Sequence, residues 1–247
     1  MTEELDIPPN EDGAPDGSAE PKTIPAAQLE EMLVKHREWI ESKGQEGEKA
    51  NFHRAFLQDA YFQGADLRGA NFSQASLHGA ELQNANLYRA DLTEANLQHA
   101  SLQKSNLREA NMEGAHLIQA NLQGADMRNA NLQHADLRDA DLLESRLQGA
   151  DLAGAYCKGA NFFLADLRRA NCREINLQEV DLQGGDLSEA DLSMAQVQDA
   201  RLAGVEMRGT LLQSADLLDA LGLTRQQTDE AETDEQTRFP SYLGDGA

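Results

Sequence analysis

The chain has 247 residues, of which 40% are hydrophobic and only 5% aromatic, and its formal net charge is −22. That charge repels nucleic acid and anionic membrane alike, which argues against either as a direct partner. No run of about 18 apolar residues offers a membrane span. The length suits one elongated domain or one to two compact ones. Many Ala and Leu with few aromatics point to a narrow core. The two cysteines, Cys157 and Cys172, form no CxxC pair and require no oxidising compartment, so the cytoplasm is the expected location.

Residues 1–24 are acidic and contain Pro, Gly and Ser, a composition expected to be disordered. With no basic n-region and no apolar h-region, a secretory leader is not expected. Residues 25–49 carry Leu29, Met32, Leu33, His36 and Ile40 at helical spacing, with Trp39 beside them, Pro25 near the start and Gly44 as a stop. Outward Phe56 and Tyr61 follow in the next segment. The reading is a helix that caps whatever begins at residue 50.

From Phe52 to Leu217 every fifth residue is Leu, Phe, Met, Cys or Val: 34 repeats without an insertion. Two residues earlier stands Ala, except at Ser105, Ser145, Ile175, Val180, Gly185, Val205 and Thr210. Five residues of α-helix turn about 500°, so the large residues would circle the axis. In a continuous strand they would alternate sides. A short extended segment with two inward residues, followed by a two-residue corner, fits the period. Repeated, it makes a coil with one pentapeptide per side.

Tandem A(D/N)LXX, as in ADLRG, ANLQG and ADLRD, resembles the pentapeptide-repeat family over positions 50–220. The resemblance implies an all-β solenoid, a right-handed quadrilateral β-helix of about 8.5 coils of 20 residues, with an N-terminal capping helix and a short C-terminal helical tail. At about 4.8 Å per coil the rod is roughly 40 Å long.

With a 20-residue coil, outward residues sort into columns. The wall carrying Leu67, Leu87 and Leu107 holds an arginine ladder, Arg68, Arg108, Arg128, Arg168 and Arg208, and has a net charge of +1; the other three walls carry −4, −5 and −2. This ladder is a candidate docking surface, against the plainer reading of a salt-bridged, solvated wall. Gln63, Gln83, Gln103, Gln123 and Gln183 share a column in which amides are expected to bond from coil to coil. Leu143 and Phe163 interrupt it, with Leu164 adjacent, and form a candidate apolar protein contact. Alternating Asn and Asp residues (Asn71, Asp91, Asn111) read as structural turn residues.

Residues 221–247 form a C-terminal cap or tail. Thr224 with Gln227 makes a capping box for a short polar helix, expected to pack weakly or to lean on Leu221, Leu223, Phe239, Tyr242 and Leu243. A similar tail follows some pentapeptide-repeat arrays, where leucine usually stands in place of Thr228.

Catalytic chemistry is not expected. His78, His99 and His116 lie on one wall at different offsets and do not make a zinc set. Cys157 and Cys172 sit at inward positions on neighbouring walls, as small core residues or a strained disulfide. No phosphate loop or nucleophile elbow is present. The expected function is a non-catalytic rigid rod, a protein-interaction scaffold, monomeric or weakly dimeric, with no cofactor or metal. The alternative comes from the resemblance: some members mimic B-DNA and bind DNA gyrase.

Overall fold

The repeat around Leu97 shows how five residues close their own hydrogen-bond account. The Ala95 N–H donates to the Leu92 carbonyl at 3.0 Å and closes a corner. The Asn96 N–H donates to Ala75 in the preceding coil at 2.9 Å, and the Leu97 and His99 N–H groups donate to His116 and Ile118 in the next coil at 2.7 and 3.1 Å. The remaining donor, Gln98 N–H, is taken by Oδ1 of Asn96 at 3.1 Å. No donor is orphaned, as buried or half-buried backbone requires.

At the corners, every fifth residue from Arg54 to Asp219 has φ between 54° and 73°. With the i to i+3 bond, this is the sign pattern of a type II turn. Most of these residues are not glycine, so the inter-coil bonds outweigh the left-handed strain. Parallel bridges step by 20 residues, from Asn51↔Asn71 to Arg201↔Leu221. Four corners therefore complete one circuit, and the chain is a solenoid. In this computed structural model the described residues are 22–244.

Large side chains and their alanines fill the lumen, and the central row from Phe52 to Leu217 is buried throughout. Phe52 and Phe72 stack at 4.7 Å between centroids, and Phe62 packs edge-on to both. Ser105 fits the small-residue row because its hydroxyl donates to the Leu102 carbonyl at 2.7 Å. Gly185 is there for space: a Cβ would meet the Ala165 carbonyl oxygen at 2.9 Å.

The ends are closed differently. At the start, β1 (Lys22–Thr23) pairs in parallel with β2 (Ala55–Phe56), adding a rung below coil one. The expected tail of 1–24 thus ends earlier: residues 22 and 23 find edge groups to bond, while 1–21 lie outside the described residues. Helix α1 (Ala26–Glu41) follows Pro25 and places Leu29, Met32 and Leu33 against the core, with His36 fully buried. It stops at Ser42, and Gly44 donates back to the Trp39 carbonyl at 2.7 Å. Gly47 cannot be replaced, since a Cβ would lie 2.2 Å from the Lys35 carbonyl oxygen.

At the far end the tail imitates another coil. Leu211 bridges to Glu232 and Asp216 to Arg238. Helix α2 (Arg225–Glu230) starts at the expected capping box, with Thr224 and Gln227 bonded reciprocally. Its anchoring is polar. The Gln227 amide donates to the Leu202 and Val205 carbonyls at 2.9 and 3.0 Å, and the Thr237 and Tyr242 hydroxyls donate to those of Leu212 and Ala220. The apolar support expected for α2 is therefore partial. Leu223 and Leu243 are buried, but Leu221 and the Tyr242 side chain stay exposed, because the terminal carbonyls need donors more than the helix needs an oily seat. Thr228 is buried, bonding the Arg225 carbonyl. Among the described residues no helix is long and apolar enough to cross a membrane.

Candidate docking faces

Each outward column is shaped by the residue before the core position. All 22 Asn and Asp residues there accept the N–H of the residue two positions on, which explains the second letter of the repeat. The same oxygens organise the arginine ladder. Arg68, Arg128 and Arg168 each fold a guanidinium fork onto the aspartate of their own repeat, Asp66, Asp126 and Asp166, at 2.5 to 2.9 Å. Arg168 also lies 3.5 Å from Asp186. Arg108 differs, because its repeat offers Asn106; its guanidinium sits 5.7 Å from the Tyr88 ring, with Arg89 on the same ring at 4.9 Å. Arg208 is exposed beside Glu206 without such a fork. The ladder is thus three arginines forked onto their own aspartates and two without such a fork.

Asp166 shows the electrostatics of the paired rungs. Burial pushes its carboxyl up, but hydrogen bonds from Arg168 and Gln148 outweigh this and hold it below the usual carboxylate range. Gln148, Gly149, Arg168, Arg169 and Ser188 line a shallow groove on this wall.

The apolar group is brought together. Leu143 and Phe163 occupy one column in consecutive coils, and Leu164 turns the adjacent corner; Phe163 and Leu164 are exposed and Leu143 is half-buried. The glutamine column does not form the expected amide ladder. Gln123 instead donates diagonally to Asp141 of the next coil at 2.6 Å, Gln183 bonds its own Asp181, and the Gln83 and Gln103 Oε1 atoms are buried without a partner. Carboxylates out-compete amides as acceptors. The diagonal recurs and was not visible in the column pattern: Gln133 to Asp151, Gln148 to Asp166 and Gln198 to Asp216 repeat it.

His78 and His99 meet edge to face at 5.2 Å. Among the described residues no three potential ligands gather around a metal position. Cys157 and Cys172 are buried free thiols, and burial pushes both up, Cys172 to about 12.

The description "Pentapeptide repeats" matches in 8 copies placed between residues 55 and 193, more than half the chain. The chain belongs to the pentapeptide-repeat family. A solved family structure, HetL from the cyanobacterium Nostoc sp. strain PCC 7120, is 35% identical over 74% of this chain and 81% of its own, with a TM-score of 0.58. HetL is described as involved in heterocyst differentiation regulation. A pentapeptide repeat protein of the Arabidopsis thaliana thylakoid lumen is 28% identical over 42% of this chain and 72% of its own, with a TM-score of 0.41. QnrB1, a plasmid-mediated fluoroquinolone resistance protein, is 16% identical over 75% and 91% at a TM-score of 0.31, too distant to bear on function. No curated protein sequence matches significantly.

Proposed function

We propose that this pentapeptide-repeat protein is a non-catalytic rod that docks a protein partner along one wall. The carrying observation is the unequal dressing of four otherwise identical walls. One is an Arg/Asp lattice with unforked Arg108 and Arg208, one bears Leu143, Phe163 and Leu164, and the remainder is acidic. The likeness to HetL, a protein named for a regulatory role, supports a binding rather than a chemical task. The finer geometry, a right-handed quadrilateral coil wound about 8.5 times, belongs to the same reading; the 20-residue register supports its four-sided closure. Cytoplasmic residence is part of the proposal.

The test is an affinity capture from the host lysate with the full chain, Phe163→Glu and the double variant Arg108→Glu/Arg208→Glu. A partner held by the full chain and lost with one variant is the expected result. The same captured set in every lane would overturn docking at these residues. A second reading, mimicry of duplex DNA toward gyrase, is favoured by the net charge of −22. Duplex DNA carries about 24 charges in 40 Å, whereas the array has a net charge of −10. Inhibition of gyrase supercoiling, relieved by added duplex, would establish that reading in place of the first.

A further inference from the structure

His36 is the one histidine of the described residues that is fully buried, and it sits where the cap meets the array. Its Nδ1 accepts the N–H of Ala50, the first residue of the repeats, at 3.1 Å across 14 positions of sequence. An accepting Nδ1 fixes the neutral tautomer with the proton on Nε2. That Nε2 is itself buried without a partner. Trp39, the chain's single tryptophan, stacks on the ring at 5.6 Å and 13°.

Protonation would place a second N–H on Nδ1, directed at the Ala50 N–H. Two donors would then face each other, and a buried cation would have no acceptor. The charged groups around the ring offer little relief. Lys49 of the linker and Arg68 of coil one oppose the charge. Asp66 favours it, but its carboxylate is already held by the Arg68 fork at 2.8 and 2.6 Å.

We propose that His36 is a proton-operated latch on the N-terminal cap: protonation releases α1 from coil one and bares the first edge of the solenoid. Burial, the largest influence, lowers the imidazole from 6.5 to about 4 in the closed state. In the released helix it returns to its ordinary value. The released state therefore binds more protons, so the latch is fully effective above 6.5 and weakens as pH falls from 6.5 toward 4.

Hydrogen exchange of the full chain, corrected for intrinsic rates, tests this directly. Protection of the Ala50 amide should fall about twentyfold between pH 7 and pH 5, accompanied by a change in Trp39 fluorescence, while the Leu132 amide in mid-array keeps its protection. In His36→Gln the amide oxygen still accepts from Ala50 but does not titrate, so the pH dependence should vanish. Unchanged Ala50 protection, parallel loss at Leu132, or the same pH dependence in His36→Gln would each overturn the latch.

Discussion

Asp151 does three jobs with one carboxylate. It accepts the Ala153 N–H at 3.1 Å, the Gln133 amide at 2.6 Å and the Asn171 amide at 2.9 Å. Asp151→Ala should therefore cost about 1–3 kcal/mol of unfolding free energy, by leaving donors half-buried and unpaired. Arg138→Gln, which removes a fork on Asp136 that solvent screens, should cost less than Asp151→Ala. Denaturant unfolding of the two variants side by side checks the ranking; equal losses would contradict it. In the lumen, Ala130→Leu should destabilise by about 1–3 kcal/mol through overpacking. The buried thiols of Cys157 and Cys172 should resist a disulfide reagent in the native state and react only on unfolding. At this scale the sequence was readable wherever side chains repeat on a fixed step. It misled at the glutamine column, because shared columns do not reveal that an aspartate one coil away and two positions earlier is the better acceptor.

At the scale of elements, the period of five identified the array because neither helix nor strand can bury a residue at that step. The capping box of α2 was legible because its hydrogen bonds are local. The pairing of Lys22–Thr23 with Ala55–Phe56 was not, since a two-residue strand has no periodicity and its partner lies about 30 residues away. The polar closure of the last coil was equally hidden. Gln227, Thr237 and Tyr242 are chosen for where their donors end up in space, not for any pattern along the chain. Gln227→Ala removes both donors to the Leu202 and Val205 carbonyls. It should fray the last coil at a cost of about 1–3 kcal/mol, seen as lost amide protection at Gly209 and Leu212 with mid-array protection retained. Uniform protection across the array would show that α2 is not a working cap.

For the whole molecule, the repeats fix a rigid frame and leave function to its decoration. The arginine ladder was legible as a column, but its division into forked Arg68, Arg128 and Arg168 and unforked Arg108 and Arg208 depends on whether Asp or another residue precedes the core position in each repeat. The cluster at Leu143, Phe163 and Leu164 was legible because apolar residues interrupt a polar column. The central claim is that one wall binds a protein. Site-specific photocrosslinking in the host, with a photoreactive residue placed singly at Glu113, Lys158, Phe163 or Arg208, samples each wall in turn. The account predicts a discrete crosslinked partner from Phe163 or Arg208 and little from the other walls. No adduct from any position, or the same adducts from all four, would contradict it.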